Sequence, residues 1–319
     1  MSTSYSSSIS PDHHGLLPVE VLMLSYAHQY TESTTEYQGF WDYAYGISDP
    51  NAMLRSLADR GFLRLGGVPE AMEVETAVSL KEVLREYGLK VSGRKTELIE
   101  RLLENVSIGE LKERFPLKYY ARTDQAELVL SEKPYIGYVH SSGPMGIDEI
   151  ELLVRKAPGK PWRDLIWGYF NQDLLIHAKA GDWGLYRNTK ANMASFLAEE
   201  SKWRDAILML SEVIFWDLSG VGNGFSKEYL DVYIEYLFPY EKSLATIAPG
   251  ILERLFDWAN EGDVGDSELK ELLESRIRRL KAPMRLFTTD EILEIVFLER
   301  TADTAALSEI YETAELRMK

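Results

Sequence analysis

A run of 31 residues in the first third of the chain, AVSLKEVLREYGLKVSGRKTELIERLLENVS (residues 77–107), decides how the fold is interpreted. Its first half carries an apolar stripe at the spacing i, i+3, i+4 and i+7, which predicts an amphipathic helix; the stripe is Leu80, Val83, Leu84 and Tyr87. Gly88 is a suitable residue to end that helix. Ser79 and Glu82 are spaced as a capping box at its start.

A second helix is predicted after the turn LKVSGRK, with Ser92 as its cap. Its core face is Leu98, Ile99, Leu102 and Leu103. Isolated helices shorter than about 12–15 residues are marginal in water. The two short helices must therefore pack on each other or on a neighbouring element.

The formal net charge of the 319-residue chain is −16, which argues against a protein that coats nucleic acid with its whole surface. The charge is uneven. Residues 1–76 hold 3 Lys/Arg against 10 Asp/Glu, and residues 161–319 hold 18 against 28. Residues 77–107 hold 6 against 5, and residues 108–160 hold 8 of each. The middle of the chain is therefore where a polyanion is not repelled.

Residues 77–107 resemble the SAP domain. The resemblance rests on the spaced leucines of the first helix, the Gly88-Leu89 turn, the SGRK loop at 92–95 and the ELIERL run at 97–102. That family is a helix, an extended loop and a helix, and it binds duplex DNA with weak sequence preference and a leaning to A/T-rich sites. The resemblance thus implies double-stranded DNA as a partner, and a bacterial or phage-like source.

The start of the second helix is the expected centre of the DNA contact. A helix N-terminus presents free backbone N–H groups and a positive dipole end, both of which suit a phosphate. The predicted DNA-binding residues are Lys90, Ser92, Gly93, Arg94, Lys95, Lys81, Arg85 and Arg101. The alternative is a solvated surface on which these cations are balanced by the five glutamates of the same segment.

The segments that flank the hairpin, LRSLADRGFLR (54–64) and KYYARTDQAEL (118–128), resemble the body of a winged-helix domain. Asp49 and Pro50 predict the start of a helix, and FLRLGG predicts a strand after it. One or two short strands are also predicted over LKYYARTDQAELVL and YIGYVH. We therefore expect residues 62–65 and 118–123 in one sheet, with the hairpin in the place of the wing.

The helix that would read bases in such a body offers few suitable side chains. Its polar candidates are Asn51, Arg55 and Arg60, among Asp49 and Asp59. Because base readout depends on several donors and acceptors directed at base edges, we expect no sequence-specific contact from this helix.

The break SSGPMG (141–146) is the expected domain boundary, and the chain beyond it has helical patterning. Helices are predicted near 147–155, 162–179, 188–200, 202–217, 226–238, 241–259, 267–280, 289–300 and 302–317. The expected organisation is a disordered tail (1–15), a winged-helix-like body (16–76 plus 108–142), the hairpin (77–107) and a helical domain (145–319).

No pattern of catalytic residues emerges. Cysteine is absent, which excludes a disulfide framework and favours a reducing cytosol. The five histidines include no i, i+4 pair around a carboxylate, and His13-His14 lies in the expected tail. We predict no catalytic residue, no metal and no cofactor.

These observations predict a mainly α protein that is not an enzyme. The favoured function is a cytoplasmic, DNA-associated accessory or regulatory protein, with an acidic helical domain for partner binding or dimerisation. A module that neutralises about three phosphates binds DNA with only the dissociation constant of non-specific contact, roughly 10⁻⁴–10⁻⁶ M. A second binding site is therefore expected. The alternatives are a protein–protein scaffold whose hairpin does not bind DNA, and a nuclease with carboxylates from the helical domain.

Overall fold

A computed structural model describes residues 9–319, and residues 1–8 of the expected tail lie outside that part of the chain. The described residues form 18 α-helices and one two-stranded sheet, which confirms a mainly helical protein. None of the described helices is long and apolar enough to cross a bilayer. The chain divides into two compact units, Met1–Leu165 and Ile166–Lys319.

The first unit begins with helices that flank a short strand. These are α1 (Pro18–Tyr26), α2 (Phe40–Tyr43), α3 (Pro50–Asp59), β1 (Leu63–Leu65) and α4 (Val68–Val74). The hairpin and the second strand follow as α5 (Ala77–Glu86), α6 (Lys95–Asn105), α7 (Ile108–Arg114) and β2 (Tyr120–Arg122). The last elements are α8 (Asp124–Glu132), α9 (Pro134–Ser142), α10 (Ile147–Lys156) and α11 (Trp162–Ala180), of which α11 continues into the second unit.

Helix α1 is the central element of this unit. Its sequence PVEVLMLSY is apolar on nearly every side, and a helix of that kind is buried on nearly every side. Helices α3, α8, α9 and α10 pack against it. Helix α3 begins as expected, because Pro50 is its first residue and the side chain of Asp49 accepts a hydrogen bond from the backbone N–H of Ala52 at 2.9 Å.

The two strands pair antiparallel, with Leu63 opposite Arg122, Arg64 opposite Ala121 and Leu65 opposite Tyr120. The expected pairing of residues 62–65 with 118–123 is thereby confirmed. Helices α4 to α7 lie between the two strands in the sequence. The hairpin is therefore an insertion whose two ends are held together by the strand pair.

One of the two stretches expected to hold a strand does so, and the other does not. Within LKYYARTDQAELVL the strand β2 covers residues 120–122, and α8 begins at Asp124. YIGYVH belongs to α9, which begins at Pro134. Its aromatic and β-branched residues favour a strand by propensity, but Tyr135, Ile136 and Val139 are buried on one side where α9 packs on α1 and α10. Tertiary packing overrides the local preference.

The expected tail is also wrong for the described residues 9–15. Ile9 is buried, and the Asp12 carboxylate forms an ion pair with the buried ammonium of Lys133, Oδ2 to Nζ 2.9 Å. The same ammonium lies 2.6 Å from Oε1 of Glu151. Arg155 pairs with that oxygen at 2.8 Å, and the hydroxyl of Tyr135 donates to Oε2 of Glu151. Residues 9–15 are thus anchored to α9 and α10 by a buried ionic network.

This network decides the protonation of its carboxylates. Burial alone raises the pKa of Glu151, but hydrogen bonds from Lys133, Arg155 and Tyr135 outweigh burial, and the pKa lies below its usual value. The pKa of Asp12 is lowered in the same way, by the backbone N–H of Leu16 and by Lys133 against the effect of burial. Both carboxylates are therefore ionised in the folded protein at neutral pH.

The second unit contains the rest of α11 and seven further helices. They are α12 (Trp183–Ala198), α13 (Trp203–Ser219), α14 (Leu230–Leu237), α15 (Pro249–Glu261), α16 (Asp266–Ile277), α17 (Thr289–Thr301) and α18 (Thr304–Met318). Most lie near their predicted positions. The helix expected at 241–259 instead begins at Pro249, a residue suited to a first helical position.

Helix α13 is the core of the second unit. It is buried almost continuously from Leu210 to Ser219, and α12, α15 and α16 pack around it. The carboxylate of Glu212, on α13, lies in that core with only 2% of its side chain exposed. It is neutralised by Lys190, Oε2 to Nζ 3.1 Å, and by Arg276, so three helices are tied at one point.

The two units divide at Leu165, 20 residues beyond the expected start of the helical domain at Met145. The reason is that α10 packs on α1 and α9 of the first unit. The SSGPMG break is thus a connection between α9 and α10 inside that unit.

Candidate nucleic-acid interface

Helices α5 and α6 pack as a hairpin, and they share their core with α4 and α7. The buried residues from α5 and α6 are Leu80, Val83, Leu84, Leu98, Ile99 and Leu102. Helix α4 adds Val68, Ala71 and Met72, and α7 adds Leu111. The two short helices are therefore stabilised by neighbouring helices, as their length requires. Leu103, expected in the core face, is instead 37% exposed.

The connection between α5 and α6 is held in one conformation. Gly88 has φ +66°, and the backbone N–H of Leu89 donates to the carbonyl of Leu84 at 2.8 Å, which closes the end of α5. From the far side, the guanidinium of Arg101 donates to the carbonyl of Lys90 at 2.6 Å and to the carbonyl of Ser92 at 3.2 Å. Arg101 thus clamps the loop against α6.

The caps of both helices differ from those expected. The side chain of Thr76, and not a Ser79–Glu82 box, caps α5 by accepting from the N–H of Ser79 at 3.1 Å. Helix α6 begins at Lys95, after an N-cap at Arg94 and not at Ser92.

Glu97 occupies the start of α6. Its Oε2 accepts a hydrogen bond from the backbone N–H of Arg94 at 2.7 Å. Gly93 has φ +129°, a backbone conformation that disfavours any other residue, and a Cβ there would also lie 2.4 Å from the same oxygen. Because a carboxylate already lies at the positive end of the helix, backbone groups here attract phosphate less than the sequence alone predicts. The attraction must come mainly from side-chain cations.

The predicted cations fall into two groups. Lys95 is half-buried and its ammonium donates to the carbonyl of Glu73 at the end of α4, and Arg101 is engaged with the loop carbonyls. The other four predicted cations, Lys81, Arg85, Lys90 and Arg94, have side chains with no hydrogen bond or ion pair among the described residues. We call these four residues the free cations. Of the predicted DNA-binding residues, these are the cations that can neutralise phosphate without breaking a contact inside the protein.

The position of Lys95 has a signal in the sequence. Lys95 precedes Leu98 and Ile99 by three and four residues and Leu102 by seven, so it lies on the apolar stripe of α6. Helical spacing therefore predicts that its stem lies against the core. The role of Arg101 has no such signal, since its partners are backbone carbonyls in the loop.

The surface beside the loop is acidic on one side. A depression of about 340 Å³ is lined by Lys90, Ser92, Gly93 and Arg101, and by the three carboxylates of Glu97, Glu100 and Glu104. Phosphate is repelled from this side of α6. We therefore expect the polyanion to contact the free cations, Lys90 included, without lying against the three carboxylates of the depression.

The base of the hairpin is fixed to strand β1. Glu70, in the first turn of α4, accepts from the backbone N–H of Gly67 at 2.7 Å and from the guanidinium of Arg64 at 2.5 Å. Burial raises the pKa of Glu70, whereas these two hydrogen bonds lower it. The net result is a pKa below the usual value. Arg64 is thereby engaged within the protein and does not add to the free cations.

Helix α3 offers little to a base edge, as expected. Asn51 donates to the carbonyl of Glu32 at 3.3 Å, and Arg60 pairs with Glu20 at 2.9 Å and bonds the carbonyl of Gly15. Arg55 is exposed and has no hydrogen bond or ion pair among the described residues. A single arginine gives no sequence code.

Comparison with known protein families supports the assignment of the hairpin. The sequence model of the SAP domain matches residues 76–107, which confirms the resemblance. The match covers about a tenth of the chain. SAP domains are generally DNA-binding modules, so a DNA-associated role is supported. No curated protein matches the chain at a significant level.

Proposed function

We propose that this protein is a non-enzymatic, cytoplasmic, DNA-associated accessory or regulatory protein that contacts duplex DNA through its SAP domain. The observation that carries this proposal is the set of four free cations on the hairpin of an otherwise acidic chain. Phosphate contacts position a protein without reading sequence. Binding is therefore weak, dependent on salt and nearly independent of sequence, with at most a leaning to A/T-rich duplex.

The surroundings of the hairpin support a winged-helix-like body as its platform. Helix α3 precedes β1, β1 pairs with β2, and the hairpin stands between the two strands where a wing would be. The Gln125-Ala126 pair stands where that family commonly has lysine and glycine. In this proposal the body orients the hairpin and supplies no base contact of its own.

Weak contact through one module requires a second site, and the second unit offers a surface for it. A groove of about 630 Å³ between α16 and α17 has an apolar floor that includes Leu293 and Phe297. Its rim carries the carboxylates of Asp266, Asp290 and Glu294 and one ammonium, and Asp266 is already paired with Arg300 at 2.8 Å. The carboxylate of Glu294, for which no ion pair is found among the described residues, favours a partner segment with apolar and basic side chains over a second copy of this acidic chain.

Fluorescence anisotropy with labelled A/T-rich and G/C-rich duplexes at low salt tests the DNA contact. Binding of both duplexes that weakens steeply with salt supports the proposal. Absence of binding at low salt favours the scaffold alternative, in which the hairpin contacts protein. Cleavage of duplex DNA with Mg²⁺ or Mn²⁺ would instead support the nuclease alternative.

Light scattering during gel filtration separates self-association from binding to another protein.

A further inference from the structure

The loop before α1 places two histidines on the surface of the first unit. Oδ1 of Asp12 accepts hydrogen bonds from the backbone N–H groups of His14 at 2.9 Å and Leu16 at 2.8 Å. Gly15 makes the turn with φ +77°. Oδ2 of Asp12 is held by Lys133 as described above. The backbone of this loop is thereby fixed, and the histidines project from a defined turn.

Both imidazoles converge on one carboxylate that is distant in sequence. Nε2 of His14 lies 2.9 Å from Oε2 of Glu132, and Nε2 of His13 lies 3.5 Å from the same oxygen. The three residues can offer one ligand atom each within 4.8 Å of one another. Glu132 is the last residue of α8, next to the buried Lys133, so its backbone is fixed as well.

We propose that His13, His14 and Glu132 form a binding site for Zn²⁺ or a similar divalent transition metal. Two imidazoles and one carboxylate are a donor set of zinc sites that keep one open position. With bonds of about 2.0–2.2 Å to the metal, the donor atoms of a tetrahedral site lie about 3.4 Å apart. The distances from Oε2 of Glu132 to the Nε2 atoms of His14 and His13, 2.9 and 3.5 Å, are close to that value. Magnesium and calcium are disfavoured because they take oxygen ligands.

The fourth position is open to solvent. The side chain of His13 is 71% exposed, and a cavity of about 450 Å³ lined by residues that include Pro11 and Arg155 adjoins His13 and Glu132. An exchangeable water or a small anion fits there. The ion would join the loop before α1 to the end of α8, so it would act as a clasp for the N-terminal segment.

Isothermal titration calorimetry of the full chain tests the site directly. The protein carries no added histidine tag, is first treated with a chelator, and is then titrated with Zn²⁺. We expect saturable binding of one ion per chain. Loss of a residue that only hydrogen-bonds to a metal ligand costs about 10–100-fold in metal affinity. His14→Gln and Glu132→Gln remove a ligand itself. Each should therefore weaken Zn²⁺ binding at least tenfold.

His28→Gln is the matched control, because His28 is exposed and has no hydrogen bond or ion pair among the described residues. Its affinity for Zn²⁺ should equal that of the unchanged chain. Circular dichroism verifies that each variant folds. Co²⁺ provides a second measurement, since a tetrahedral site gives intense visible absorption that His14→Gln should abolish.

Absence of saturable Zn²⁺ binding by the unchanged chain would overturn the proposal. So would binding of equal affinity in His14→Gln and Glu132→Gln, which would place the ion elsewhere. An increase in melting temperature with Zn²⁺ in the unchanged chain, lost in both variants, would support the clasp.

Discussion

Lys90 and Arg94 are the two free cations on either side of Gly93 in the sequence, and their neutralisation tests the proposed DNA interface. The change is the double substitution Lys90→Gln and Arg94→Gln. Both side chains are exposed and have no partner among the described residues. Substitutions at such surface sites usually change stability by about 0.5 kcal/mol or less, so the variant should fold.

The size of the effect follows from the number of free cations. If all four contact phosphates, the slope of log K against log salt is about −3.6, since each contact adds about −0.9. Affinity then falls about 150-fold between 50 and 200 mM salt. With two contacts left, the slope is about −1.8 and the fall is about 12-fold.

The assay is fluorescence anisotropy of a labelled duplex, titrated with protein at several salt concentrations in that range. The matched control is Lys156→Gln with Lys160→Gln, which removes the same charge from two exposed lysines outside the hairpin. The control should keep the full slope, because phosphate contacts and not net charge set it. Equal effects on A/T-rich and G/C-rich duplexes are expected.

A folded Lys90→Gln/Arg94→Gln variant with an unchanged slope would refute this reasoning and place the DNA site elsewhere. Lys95→Gln gives a second test, because its ammonium bonds the carbonyl of Glu73. We expect Lys95→Gln to destabilise the first unit and to leave the slope nearly unchanged. A loss of slope equal to that of one free cation would show that Lys95 leaves Glu73 to bind DNA.

Three further predictions concern stability. Gly93→Ala should destabilise the first unit by about 1–3 kcal/mol in urea unfolding, because it strains a positive φ and crowds Glu97. Glu212→Gln should cost about 3–5 kcal/mol in the second unit, since it leaves two cations with no buried carboxylate partner. Glu151 has a lowered pKa when folded. Its contribution to stability is therefore complete above its unfolded pKa and is lost as pH falls through the folded value, and Glu151→Gln should reduce this acid sensitivity in urea melts.

Each of these predictions has an outcome that contradicts it. Gly93→Ala with unchanged stability would mean that Glu97 moves aside at no cost. Glu212→Gln as stable as the unchanged chain would show that the ion cluster is energetically neutral. An acid transition of equal size in Glu151→Gln would assign that transition to other carboxylates.

Local spacing was sufficient for the elements that depend on residues close in sequence. The apolar stripes predicted α5 and α6, the Asp49-Pro50 pair predicted the start of α3, and FLRLGG predicted β1. The residues that cap α5 and α6 were not predicted correctly from spacing. Thr76, Ser79 and Ser92 are all capable of capping a helix, and packing of the hairpin decides among them.

The sequence by itself determined a mainly helical chain, a SAP-like hairpin between two short strands, and the cations among which the proposed DNA contact lies. Only the tertiary structure decided which of these cations are free, because Lys95 bonds a residue 22 positions away and Arg101 bonds the loop. It also decided that His14 meets Glu132 across 118 positions. Helical and strand periods report contacts within a few residues, whereas these partners are set by how whole elements pack.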